Sequence, residues 1–360
     1  MKAAVCHAFA QPLAIEEVRL DPPQAGEVQV RLKACGICHS DIHYLDGHWG
    51  GELPAVLGHE GAGVIEQVGA DVTGVSPGDH VVVTLVRTCG ACFHCERDEG
   101  YLCEGTFALD ADSRLHDAEG AAVLQGLRCG GFAESVVVHQ SQVVAIPAHI
   151  PFASASLLAC GVLTGWGAVA KTADMPAGAS AAVIGVGGVG VNSVQAAAIR
   201  GADPLIAIDL EESKLETSRA FGATHALRPG HDDVAAQCRA ITDGRGLDYV
   251  FVTVGNAKAI AEGLGLLRKG GTLVLVGMPA NGDELSLQAG NLASAGQAIL
   301  GSKMGCASIQ DDVPTLVGLY ETGRLKLDEL VTGQYPLSEI NAAIDSARRG
   351  EALRNVVVFE

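Results

Sequence analysis

The chain has 360 residues, 48 % of them hydrophobic and 18 % charged, with a formal net charge of −18 at pH 7. One hydrophobic core seldom grows past roughly 250–300 residues, so two domains are expected. The acidic balance argues against a nucleic-acid or anionic-membrane surface, which would need clustered Lys and Arg, and favours a small-molecule partner.

The opening stretch, MKAAVCHAFAQPLAIEE, lacks the basic start, sustained apolar core and small-residue cleavage site of a secretory signal, so the cytosol is the expected compartment. Eleven cysteines, an odd number, then read as reduced thiols and metal ligands rather than a disulfide framework. Up to about residue 150 the chain carries PLAIEEVRL, GEVQVRLKA, GAGVIEQVG, GDHVVVTLV and ESVVVHQSQVVAIP, short alternating or β-branched runs punctuated by Gly and Pro. Their spacing predicts a mostly-β, barrel-like domain.

Two cysteine-rich stretches interrupt these strands. In CGICHSDIH, from Cys35 to His43, two cysteines and two histidines crowd nine positions, as half of a zinc knot, a redox dithiol or a single reactive sulfur would. In CGACFHCERDEGYLC, Cys89, Cys92, Cys95 and Cys103 follow one another at three, three and eight residues. Four thiolates in a loop of glycine and charged residues suit a closed tetrahedral zinc with no open position, which is a structural site. The iron–sulfur pattern that also begins CxxCxxC continues differently, with a cysteine four residues on and then a proline. His94 lies among these ligands and reads as a solvated loop residue. A catalytic zinc needs three protein ligands and an open position, and for that role Cys35, Cys38, His39, His43, His48, His59 and Cys160 all stay open on composition alone.

From about Ala179 the rhythm changes. AAVIGVG, PLIAIDL, LDYVFVTVG and TLVLVGM are apolar runs separated by the helical stretches VNSVQAAAIRG, ESKLETSRAFG and AIAEGLGLLRKG, which predicts a parallel sheet with helices on both faces. GVGGVG, from Gly185 to Gly190, follows the first of these strands and opens a helix, and Asp209 comes nineteen residues after the last glycine. Gly185, Gly187, Gly188, Val189 and Gly190 then form a turn that brings backbone and a helix N-terminus to a pyrophosphate, while Asp209 accepts from the ribose hydroxyls. Glu211 and Glu212 add to the repulsion of a 2′-phosphate, with only Lys214 opposing, so NAD is preferred over NADP. The chain closes with a helix, SEINAAIDSARRG, and a strand, RNVVVF, which sequence alone assigns to neither domain.

GHEGAGVIEQVG from Gly58, CGICHSD, the four-cysteine lobe, LLACGVLTGWGA from Leu157 and GVGGVG occur in the order found in medium-chain zinc alcohol dehydrogenases. The resemblance covers the whole chain and is greatest toward the liver-type and glutathione-dependent formaldehyde dehydrogenase branch, through SKLETSRAFGATHAL and the long return loop after the lobe. It implies a GroES-like catalytic domain, residues 1–161 and 304–360, interrupted by a Rossmann NAD-binding domain, residues 162–303: an α/β plus mostly-β fold. It also implies two Zn²⁺ per chain and NAD. Cys38, His59 and Cys160 would bind the catalytic zinc, Glu60 would be a transient fourth ligand, and Asp41 would orient the ligand histidine. Cys35 would be a small buried residue without a metal. Ser40 would take the alcohol proton and His43 would end the relay. His39, Thr164, Lys214 and Arg354 would contact the cofactor, and Trp49, Leu85, Phe132 and Met278 would wall an apolar substrate slot. The remaining histidines read as ordinary core or surface residues, and Trp166 as packing. Association into a homodimer or homotetramer would involve QAILGSKMG.

The glutathione-using branch grips its tripeptide with an Arg four residues past the last lobe cysteine and an acidic pair before the ligand histidine. Here Phe107 and only Glu52 stand in those regions, and a Phe cannot pair with a carboxylate. The expected substrate is therefore an uncharged medium-chain or aromatic, primary or secondary alcohol. An S-(hydroxymethyl) thiol adduct is the alternative, and a non-catalytic NAD-binding sensor is a competing class that the intact ligand set opposes.

Overall fold

The computed structural model describes all 360 residues, Met1–Glu360. Two compact units emerge: Met1–Cys160 with Ser308–Glu360, and Gly161–Ala307. The sequence expectation returned the chain to the first unit at residue 304, but Met304 stays with the second. Thr164 donates to its sulfur across 3.8 Å and Thr172 bonds the Ser302 hydroxyl at 2.8 Å.

In the first unit, strand Glu27–Gly36 shows why alternation makes a sheet. Val28, Val30, Leu32 and Ala34 are fully buried, while Gln29, Arg31 and Lys33 face outward. Its neighbours are strand Glu60–Val68, strand Ser135–His139 along Glu27–Arg31, and the C-terminal strand Arg354–Val358 along Ala34–Gly36, all antiparallel to it. His80–Thr84 and Val143–Ala145 extend the sheet beyond Glu60–Val68, and Val331–Pro336 lies beyond the C-terminal strand. The closing strand, unassigned from sequence, thus joins the barrel-like unit, with Val357 opposite Cys35. The same register sets Gly36 opposite Glu60, so the segments that follow and precede these strands, Cys38 and His59, emerge together.

The second unit holds a six-stranded parallel sheet: β1 (Ala181–Ile184), β2 (Leu205–Ile208), β3 (His225–Leu227), β4 (Leu247–Val252), β5 (Leu267–Leu275) and β6 (Ala298–Gly301). Their spatial order, β3-β2-β1-β4-β5-β6, is that of a Rossmann sheet with its switch point between β1 and β4. Helices Gly190–Ile199, Glu212–Ala220, Val234–Ile241 and Ala257–Leu266 alternate with the strands. Asp233 and Asn256 cap the last two by accepting from Ala236 N–H at 3.0 Å and Ala259 N–H at 3.1 Å. The expected helix AIAEGLGLLRKG stops at Leu266, because Leu267 turns into β5 opposite Leu247. No single helix is long and apolar enough to cross a membrane.

Candidate active site and metal centres

Cys38 ends the turn after strand Glu27–Gly36 and sits just before helix His39–Leu45. His59 and Glu60 open the neighbouring strand, and Cys160 follows the one-turn helix Leu157–Ala159, whose Ala159 carbonyl accepts from the Thr84 hydroxyl at 2.7 Å. The potential ligand atoms of Cys38, His59, Glu60 and Cys160 all lie within 4.8 Å of one another, and all four residues are buried.

Asp41 organises this cluster. Fully buried, its carboxylate accepts from Cys38 N–H at 3.1 Å, Gly58 N–H at 3.0 Å and His59 Nδ1 at 3.0 Å. A carboxylate only accepts, so Nδ1 of His59 carries the proton and Nε2 keeps its lone pair. That Nε2 is buried with no hydrogen-bond partner. An orphaned imidazole nitrogen facing two thiols is the donor set of a Cys₂His zinc centre, so the residues fit the metal that the sequence implies. Interaction with Cys160, and then with the neighbouring His59, outweighs burial and holds the Cys38 thiol well below its ordinary value, toward the thiolate that a metal requires. Burial alone would depress His59, but without a metal the Asp41 carboxylate overrides it and raises the ring well above its ordinary value, so a metal taking the Nε2 lone pair would displace a proton there. Cys35, by contrast, is fully enclosed, and desolvation raises its thiol well above the usual range.

Glu60 has a second relationship. The Arg354 guanidinium forms a salt bridge with its carboxylate, and both side chains are buried. Arg354, expected from the resemblance to hold a phosphate, is therefore engaged inside the first unit, where burial lowers its pKa.

Ser40 and His43 follow on the same short helix. His43 Nδ1 lies 3.0 Å from His48 Nδ1, and the His43 ring stacks on Trp49 with centroids 5.2 Å apart. His39 is exposed at the start of this helix. The remaining slot residues separate. Leu85 is half-buried against the barrel core, and Met278 is 59 % exposed on the second unit. Phe132 is a correction: it has no exposed surface, so it walls no open slot. Its N–H donates to Leu57 C=O at 2.7 Å and its C=O accepts from Ala4 N–H at 2.8 Å, which turns the ring into the core beside Cys35 and Leu57.

In the lobe, Cys89, Cys92, Cys95 and Cys103 converge, and none is in a disulfide. Zinc–sulfur bonds of about 2.3 Å put tetrahedral thiolates about 3.8 Å apart. The Cys89–Cys95 and Cys92–Cys103 separations are 4.0 and 3.9 Å, which fits. Backbone N–H groups of Cys89, Cys95 and Gly105 donate to the sulfurs at 3.3–3.5 Å. Hydrogen bonds from the Cys95 and Glu104 backbones bring the Cys92 thiol down to about 6. His94 is not simply solvated: its Nδ1 pairs with Glu99 at 2.8 Å, outside the ligand set.

The second unit carries the dinucleotide features. Gly185 has φ +83, open only to glycine at low cost, and a Cβ on Gly190 would stand 1.8 Å from the Gly185 carbonyl oxygen. Nothing lies within 4 Å of a Cβ on Gly187, which leaves the approach to the turn clear. Asp209 accepts from Val186 N–H at 2.8 Å and Glu211 N–H at 3.0 Å, so its carboxylate is held beside the loop. Thr164 is buried and Lys214 partly exposed. Sequence reasoning passed over Arg228, which donates to Leu210 C=O at 2.8 Å and braces the Asp209 loop. Its signal, a lone Arg past the next strand, has no motif.

Comparison with known proteins agrees in both units. Residues 24–148 match the alcohol dehydrogenase GroES-like domain and residues 188–322 the zinc-binding dehydrogenase family. The chain is 38 % identical to an NDMA-dependent alcohol dehydrogenase of Amycolatopsis methanolica, over 99 % of this chain and 98 % of the relative. It is 37 % identical to an S-(hydroxymethyl)glutathione dehydrogenase of Saccharomyces cerevisiae, over 99 % and 95 %. The crystal structure of benzyl alcohol dehydrogenase from Acinetobacter calcoaceticus superposes with a TM-score of 0.93 at 31 % identity, covering 100 % of this chain and 99 % of that one.

Proposed function

The chain belongs to the medium-chain zinc-dependent alcohol dehydrogenase family, in its liver-type and class III branch, and is an NAD-dependent zinc oxidoreductase; on that premise we propose that it interconverts uncharged medium-chain or aromatic alcohols with their aldehydes or ketones. The observation that carries this reading is the buried convergence of Cys38, His59 and Cys160, with the His59 Nε2 lone pair left free by Asp41. Zinc held by these residues would lower the pKa of a hydroxyl brought to it, and NAD would accept the hydride. The two thiolates supply negative charge, and Asp41 fixes the imidazole. Glu60 lies within reach of the cluster while Arg354 holds it. Ser40 takes the hydroxyl proton and passes it toward His43. Gly185 to Gly190 cradle the pyrophosphate, Asp209 selects NAD, and His39, Thr164 and Lys214 complete the cofactor's surroundings.

Trp49, stacked on His43, and Leu85 support an apolar substrate, and Phe107 opposes a thiol adduct. Its ring has no charge for a tripeptide carboxylate, and the Arg87 guanidinium lying over it at 5.1 Å is buried and already paired with Asp110 at 2.8 Å. In the six-stranded sheet β3 and β6 are edges, ready templates for further copies, which supports association into a homodimer or homotetramer.

The test is NADH formation by zinc-loaded protein with benzyl alcohol, hexanol, and formaldehyde with and without glutathione. Turnover of the free alcohols with no gain from the adduct is the expected result. Activity confined to formaldehyde with glutathione would replace this reading with the thiol-adduct one.

A further inference from the structure

Helix His39–Leu45 and the turn after it bring more imidazole together than the relay above uses. Ser40 and His43 are three residues apart and share a helix face. The chain then reverses, with His48 N–H donating to His43 C=O at 3.0 Å, which folds the His48 ring back over His43. The ring centroids stand 5.2 Å apart and the two Nδ1 atoms 3.0 Å apart. Two imidazole nitrogens at that distance share one proton, one ring donating and the other accepting. His43 is half-buried and His48 exposed, so the bond leads from the relay to water.

We propose that His48 is the outlet of the proton path, taking the proton from His43 through the Nδ1–Nδ1 bond and releasing it to solvent from its other ring nitrogen. The proposal rests on the Ser40–His43 relay described above and extends it by one residue. The balance is that of alcohol oxidation: two electrons leave as hydride to NAD, and the hydroxyl proton leaves through Ser40, His43 and His48 to water. In aldehyde reduction the same path runs inward. His48 touches neither substrate nor cofactor and acts through His43.

The charges around the pair set the sign of its pH dependence. Burial, and then His48 and His39, lower the His43 pKa; Asp46 and Cys38 oppose them. From helix Ile340–Arg348, Arg348 pairs with Asp46 at 2.5 Å and offsets part of that opposition. A His43 of lowered pKa is neutral, and ready to accept a proton, down to a more acid pH. Removing His48 removes a repelling charge, so the His43 pKa rises and the acid limb of the rate profile moves to higher pH.

The test compares His48→Asn and His43→Asn by the first-turnover rate of NADH formation from benzyl alcohol, followed against pH in weakly buffering solution. Asn can still accept from His43 Nδ1–H but cannot carry a proton onward, so packing is retained. The expected result for His48→Asn is a rate about three- to tenfold lower, a fraction of the roughly 10²–10⁴-fold typical of general acid–base catalysis because water can substitute. An upward shift of the acid limb and rescue by added imidazole are expected with it. A His48→Asn rate and profile like wild type, with His43→Asn slow, would overturn the outlet and keep the relay. If neither variant changes the rate, the relay itself fails and the outlet with it.

Discussion

Asp41→Asn is the substitution whose consequences can be followed furthest. The carboxylate accepts three N–H donors in a site without solvent: two at Oδ1, from Gly58 and His59, and one at Oδ2, from Cys38. Asn is nearly isosteric but has one acceptor oxygen. With that oxygen in the Oδ1 place, its NH₂ faces the Cys38 N–H and leaves a buried donor unsatisfied, at about 1–3 kcal/mol. With the amide flipped, the NH₂ donates to His59 Nδ1 and drives the imidazole proton to Nε2, removing the lone pair that would bind the metal. The first orientation is therefore preferred, and the loss of charge behind the imidazole weakens zinc binding by about 10–100-fold, or about 1.4–2.7 kcal/mol. Competition with a chromogenic chelator should release one of the two zinc ions from Asp41→Asn at low chelator, while the lobe zinc is held as in wild type. Equal retention of both ions would refute the role given to Asp41.

Three further outcomes are expected. Arg354→Met leaves the Glu60 charge buried without its partner and should cost about 3–5 kcal/mol in urea unfolding, with Glu60→Gln added to it restoring much of the loss; wild-type stability in the single variant would contradict the pairing. Asp209→Gly should lower the NAD to NADP ratio of kcat/KM at least about tenfold, about 1.4 kcal/mol, because the carboxylate no longer meets the 2′-phosphate. At the lobe, the Cys92 thiol is lowered to about 6, so its contribution is fully present above the ordinary thiol value near 9 and is lost as pH falls through about 6. Because zinc competes with the proton for these sulfurs, the lobe ion should be held down to about pH 6 in a chelator assay, and release beginning above pH 8 would speak against that electrostatics.

The parts of the molecule that depend on local pattern were legible in the sequence. Strands such as GEVQVRLKA alternate because one face is buried, GVGGVG and Asp209 belong to a single β-α-β unit, and the four lobe cysteines are close in sequence. Cys38, His59 and Cys160 were not separable from Cys35 or the other histidines by spacing, since sheet register rather than sequence distance brings them together. Family resemblance chose them. His48, open as a zinc ligand on composition and then read as an ordinary histidine, was not paired with His43 because a five-residue offset matches no helix face; the turn after Leu45, not the helix, closes the pair. The Glu60–Arg354 pairing and the inward turn of Phe132 are likewise long-range outcomes, invisible to composition or period.

Zinc content and NADH formation measured together on Cys160→Ser test the catalytic centre most directly. Wild type should hold two zinc ions per chain. The variant should keep only the lobe ion, retain the wild-type far-ultraviolet circular dichroism, and form no NADH from benzyl alcohol. A variant that keeps both ions, or that turns over undiminished with one, would place the chemistry somewhere other than Cys38, His59 and Cys160.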